Sequence, residues 1–142
     1  MANRKAEDLD SLIRLNGWLV DERRRELGTL LTREAEMEAA EVALGQQMTR
    51  EHRIAAGNPT EAGFTFGGFA GDHRRRREAL AQQKAALATE IDDARERLAA
   101  AYRQLKIYEE VQKNRAETEG KEAAREEQTQ LDEIALNRHR RK

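Results

Sequence analysis

Between Leu80 and Tyr108 the chain carries two series of residues that each step by seven. One reads Leu80, Leu87, Ala94, Ala101 and Tyr108; the other reads Lys84, Ile91, Leu98, Leu105 and Gln112. They interleave three and four apart, the a/d spacing of a coiled coil. A helix of that kind is a rod or a lever, and seldom an active site. The question is what it touches.

Composition agrees with a narrow stripe. Charged residues make up 37% of the 142 residues, against roughly 25% in a typical soluble domain. Aromatics are 4% and Pro59 is the single proline. Such a chain builds long solvated helices whose core is a seam one side chain wide. The formal net charge of −1 selects neither nucleic acid nor membrane as a bulk partner. With no cysteine, disulfide and thiol chemistry are excluded and a structural zinc site is disfavoured. The stretch from Met1 to Asp8 lacks the apolar centre of a secretory signal. No apolar run approaches the ~18 residues of a membrane span, so a cytoplasmic protein is expected.

A first helix is expected over about residues 5–55. Ile13, Val20 and Leu27 recur by seven, then Leu30, Met37 and Leu44, with Met48 closing the stripe. Asn16, Arg23, Glu34 and Glu41 fill the remaining seam slots, so this helix is the weaker coiled-coil former. Asp10 with Arg14 and Asp21 with Arg25 have the i,i+4 spacing that supports a helix. Residues 56–71 break the pattern: five of the nine glycines and Pro59 fall there, and Asn58-Pro59 reads as a turn signal. Phe64, Phe66 and Phe69 also fall there, which a purely flexible linker would not need. A second helix is expected from an N-cap at Asp72 to about Arg138, on the order of 100 Å long.

Two stripes joined by one loop predict an all-α fold, a long antiparallel two-helix coiled-coil hairpin in a single domain over 1–142. The second seam turns polar after Val111. Helix 1 is expected to run out when helix 2 has reached about Arg125, leaving the rest of helix 2 as an overhang. An exposed heptad seam can also pair between chains, so the oligomeric state stays open.

Trp18, the one tryptophan, lies off the seam line with Leu12, Leu15 and Leu19. These residues form either a flap that widens the seam or a partner-docking patch. Leu131, Ile134 and Ala135 form a second small patch, out of phase with the seam and followed by Arg138, His139, Arg140, Arg141 and Lys142. That tail complements a helix dipole or belongs to a second contact site. Both patches fall at the end opposite the loop.

His73-Arg74-Arg75-Arg76-Arg77 is the densest charge run. Four arginines at a helix N-terminus would oppose the helix dipole, so an acidic protein partner or a solvated face is favoured over nucleic acid. His52, His73 and His139 share no metal-ligand spacing. Phosphate-binding and nucleophile motifs are absent from the sequence, and acidic pairs such as Asp92-Asp93 and Glu109-Glu110 fall on solvated helix surface. The expectation is a protein that is not an enzyme, with no cofactor and no metal.

The stretch Leu105-Lys-Ile-Tyr-Glu-Glu-Val-Gln-Lys-Asn-Arg115 and the ending Gln130-Leu-Asp-Glu-Ile-Ala-Leu-Asn-Arg-His-Arg-Arg-Lys142, carried on such a hairpin, resemble the FliJ family. These are stalk proteins of the bacterial flagellar type III export apparatus. The resemblance implies a chain that binds the hexameric export ATPase, promotes its assembly and activity, and links it to the cytoplasmic domain of the export gate. It also implies an escort role for export chaperones and peripheral association with the inner membrane through the export machine. It assigns ATPase contact to Leu12, Leu15, Trp18, Leu19, Leu131, Asp132, Glu133, Ile134 and Arg138. Gate contact goes to the tip: Met48, His52, Phe64, Phe66, Phe69, Arg74 and Arg77. The competing readings are a coiled-coil scaffold or chaperone of another secretion machine, and a nucleic-acid or transcription-complex binder using Arg74–Arg77.

Overall fold

The structure, a computed structural model, describes residues 2–141 without the side chains of residues 2, 3 and 61–64. Helix α1 spans Ala2–Gly57 and helix α2 spans Pro59–Arg141. Among the described residues only Asn58 is outside a helix. The fold is all-α, a helical hairpin whose two helices pack against each other. It divides into two compact units: a terminal unit of Met1–Val20 with Ala100–Lys142, and a tip unit of Asp21–Ala99.

The expected glycine-rich loop over 56–71 is corrected by this structure. The chain reverses at Asn58, and α2 begins at Pro59 rather than Asp72. The local chemistry accounts for it. Asparagine is a favoured N-cap, and proline is favoured at the first helical position because its missing N–H would have no partner there. The stripe also reaches farther back than Leu80: His73 and Phe66 precede it by seven and fourteen residues. Burying His73 and half-burying Phe66 and Phe69 offsets the ~1 kcal/mol that each helical glycine costs relative to alanine. Asp72 is therefore no cap. It lies inside α2 and pairs with Arg75 one turn on. Arg74–Arg77 likewise sit well within the helix, so the dipole argument against an anionic partner lapses.

In the tip unit the α2 seam falls where the heptads put it. Leu87, Ile91 and Ala94 are buried, and Leu80, Lys84 and Leu98 are half-buried. From α1, Leu27, Leu30, Met37, Leu44 and Met48 are half-buried against them. The polar slots have partners. Arg23 Nη1 reaches both carboxylate oxygens of Glu26 at 3.1 Å. Lys84 Nζ donates to Glu41 at 3.0 Å across the helix pair. That hydrogen bond, opposed by burial and helped by the fields of Glu41, Glu38 and Glu34, holds the Lys84 ammonium above the usual lysine range.

In the terminal unit, Leu9, Asn16, Val20 and Ala101 are buried, with Ile13, Leu105 and Tyr108 half-buried beside them. The Asn16 amide donates to its own helix, to the Leu12 carbonyl at 2.7 Å. Gln112 donates across to Asp10. Of the expected i,i+4 pairs, Asp21 with Arg25, at the start of the tip unit, gives way to i,i+3 pairs: Asp21 meets Arg24 at 3.9 Å and Glu22 meets Arg25 at 3.5 Å. Because the turn is tighter than expected, the register moves too. Lys5 and Ala6 line a groove with Val111, Asn114, Arg115, Thr118 and Glu119 rather than reaching Arg125. Every described residue from Val111 to Arg141 is exposed, so the overhang begins earlier than the sequence suggested.

Two outcomes test this account. A Cβ at Gly67 or Gly68 meets nothing within 4 Å, so Gly67→Ala and Gly68→Ala should each stabilise by about 0.5–1 kcal/mol. Thermal unfolding followed by circular dichroism checks it; unchanged stability would restore the loop. Lys84 is raised in the fold, so its ion pair contributes fully below the ordinary lysine pKa of 10.5. It is lost as pH climbs through the raised value. Titration by NMR should show Lys84 deprotonating above the ordinary lysine range, and Glu41→Gln should bring it back down.

Candidate partner-docking surface

Helix geometry decides which apolar residues remain free. In the terminal unit, Leu9, Asn16 and Val20 mark the inward side of α1. At about 100° per residue, Leu12 and Leu19 flank that side, Leu15 lies farther round, and Trp18 points nearly away from it. Exposure follows the same order: 39% for Leu12 and Leu19, 58% for Leu15 and 65% for Trp18. Trp18 therefore does not widen the seam.

Helix α2 adds residues that sequence reading passed over. Ile107 is 55% and Val111 is 37% exposed, beside the inward Ala101 and Leu105. Val111 and Lys5 line one side groove together with Asn114 and Thr118, about 500 Å³ in volume. Leu12 and Leu19 follow Lys5 by one and two heptads, and Ile107 precedes Asn114 by one. Heptad repetition puts them along that same groove. The result is one apolar band across both helices, made of Leu12, Leu15, Leu19, Ile107 and Val111, with Trp18 bordering it through Leu15 one turn away. The signal was present in the sequence, because Val111 lies at a seam-flanking heptad position and Ile107 one turn before it on the same side. A reading confined to the seam discards those.

Farther along α2, Leu131, Ile134 and Arg138 are three and four residues apart and share one exposed face, with Leu131 at 54% and Ile134 at 55%. Leu136, 60% exposed, lies off that face. Asp132 accepts a hydrogen bond from Gln128 Nε2 at 3.1 Å, and Glu133 is exposed.

The tip-unit candidates divide differently. Met48, Phe66 and Phe69 are half-buried, whereas His52, Arg74 and Arg77 are exposed. Phe64 falls among the residues whose side chains are not described. The His52 ring stacks on Phe66 at 5.7 Å, Phe66 lies 6.5 Å from Phe69, and Phe69 lies 6.0 Å from His73. This aromatic ladder joins α1 to the first turns of α2. At its foot His73 is buried, with Nε2 3.0 Å from the Leu44 carbonyl oxygen of α1. A carbonyl can only accept, so Nε2 carries the hydrogen and donates. His73 looked like part of a charge run, but its place seven residues before Leu80 marks it as a seam residue.

Among the described residues, no group of three His, Cys, Asp or Glu is placed to hold a metal ion, and no helix is long and apolar enough to cross a membrane. The chemistry on view is apolar burial at exposed helix faces. The family described as flagellar FliJ protein matches the chain over residues 5–142. No curated protein and no solved structure matches it.

The one tryptophan gives a direct check of the geometry. Trp18 emission should be that of a solvated indole and should be quenched freely by iodide or acrylamide. A blue-shifted, shielded emission from the isolated chain would put Trp18 back against the seam.

Proposed function

The chain belongs to the FliJ family, and from that premise we propose that it docks the flagellar export ATPase through the exposed apolar surface of its terminal unit. As a member of that family it is a structural, stalk-type component of flagellar type III export. The finer reading has three parts. The hexameric ATPase is bound by Leu12, Leu15, Trp18 and Leu19 on α1, with Leu131, Asp132, Glu133, Ile134 and Arg138 on α2, and binding promotes ring assembly and activity. The tip unit addresses the cytoplasmic domain of the export gate, which tethers the chain peripherally at the inner membrane. Export chaperones are carried by the same assembly.

The observation that supports ATPase docking is the apolar band across both helices of the terminal unit. Apolar side chains held at 37–65% exposure on one side of a two-helix seam gain several kcal/mol when a partner covers them, at about 25 cal/mol per Å² of apolar surface. Ile107 and Val111 extend the patch beyond what the family resemblance assigned. In the tip unit, Met48, Phe66 and Phe69 already hold the helices together. Exposed Arg74 and Arg77 are therefore the side chains that can be removed there without disturbing the fold.

Hydrolysis of ATP by the same organism's purified export ATPase, measured with and without this chain, tests the proposal. Stimulation and a larger hexamer fraction are expected. Trp18→Ala, or Leu15→Glu with Ile107→Glu, should weaken association about tenfold or more while helicity stays unchanged. Full stimulation by those variants would remove the band from the interface, and no effect of the native chain would remove the function.

A further inference from the structure

The free end of α2 carries a second seam that α1 cannot cover. The hairpin seam of α2 runs through Ala101, Leu105 and Tyr108, and its continuation meets Arg115, Glu119, Glu122 and Glu126. The exposed stripe that follows is out of phase with it. Counting by heptads from Leu131 and Ile134 gives Glu117, Ala124, Leu131 and Arg138 on one line, and Gly120, Glu127, Ile134 and Arg141 on the other. All eight are exposed. Within about 120° of arc they form one face of a helix. A seam that shifts phase where α1 ends is addressed to a different helix.

We propose that this helix is the same segment of a second copy, paired antiparallel. Charge along the segment argues for it. Residues 117–127 hold five acids, Glu117, Glu119, Glu122, Glu126 and Glu127, against two bases, Lys121 and Arg125. Residues 134–142 hold Arg138, Arg140, Arg141 and Lys142 and no acid. Parallel pairing sets like on like, whereas antiparallel pairing sets each basic end beside the other copy's acidic stretch. In an antiparallel heptad pair the two lines face each other. One register sets Glu117 opposite Arg141, Ala124 opposite Ile134, Leu131 opposite the stem of Glu127, and Arg138 over Gly120. A two-fold axis makes every one of these contacts twice. The small residues lie where the bulky ones land. The free segment from Glu117 to Arg141 supplies about three heptads.

Pairing of this kind covers Leu131, Ile134 and Arg138, three of the side chains assigned above to the ATPase. A paired chain and an ATPase-bound chain are therefore exclusive states at this segment. The proposal itself stands on the charge and heptad pattern of this segment and does not depend on the ATPase reading.

Sedimentation equilibrium of the full chain, at concentrations from micromolar to about a millimolar and at low and high salt, tests it. The expected species has twice the 16.2 kDa mass and weakens as salt rises. Ile134→Asp should weaken it on the order of a hundredfold, and Arg141→Glu about tenfold. Glu117→Arg combined with Arg141→Glu restores the charge match in both copies and should recover the dimer. These side chains are exposed, so circular dichroism should show unchanged helicity. A chain that stays monomeric throughout overturns the proposal. So does a dimer indifferent to Ile134→Asp and Arg141→Glu, or a charge swap that fails to rescue.

Discussion

Everything in this fold hangs on a single seam between two helices. A helix that buries only one stripe has no independent core, and most of its stability comes from the partner that covers that stripe. Among the described residues the buried positions are few: His73, Leu87, Ile91 and Ala94 in the tip unit, with Leu9, Asn16, Val20 and Ala101 in the terminal unit. Two are alanines, Ala94 and Ala101, which let the backbones approach. The polar slots are complementary, with Lys84 of α2 facing Glu34, Glu38 and Glu41 of α1. That pattern helps to fix the register in a seam whose apolar contacts alone would tolerate a slip.

The seam was legible because its periodicity is a direct image of helix geometry. The apolar seam residues from Leu80 to Tyr108 and from Ile13 to Met48 are all buried or half-buried, while Glu41, read as a seam slot, is exposed. The tip was not legible by the same means, because two signals conflicted. Glycine density at Gly63, Gly67, Gly68 and Gly71 argues for a loop by propensity. Phe66 and His73, two heptads and one heptad before Leu80, argue for a helix by pattern. Packing prevailed over propensity, as it does when a side chain finds a partner across the pair. Pro59 signalled both a turn and a helix start, and it serves as both. The misread tip then displaced the expected overhang, since in an antiparallel hairpin the turn sets every later pairing.

The candidate surface was half legible. Leu12, Leu15, Trp18 and Leu19 stand out in sequence because they are large, apolar and off the seam. Ile107 and Val111 do not, because each lies beside a seam position and looks like part of it. Only the pairing of α1 with α2 reveals that both helices offer their flanks to one groove. The same logic separates binding from scaffolding at the tip. The aromatic residues there occupy one another and the seam, while Arg74 and Arg77 remain exposed. Membership of the FliJ family and the exposed terminal band are what the proposed docking role rests on.

Hydrogen–deuterium exchange on the chain alone and with the export ATPase hexamer addresses that claim most directly. Binding should slow exchange across residues 12–19, 104–111 and 131–138, the segments that form the exposed surface of the terminal unit. The tip unit should be unchanged. Protection confined to the tip unit, or none at all in a complex that does form, would contradict the account.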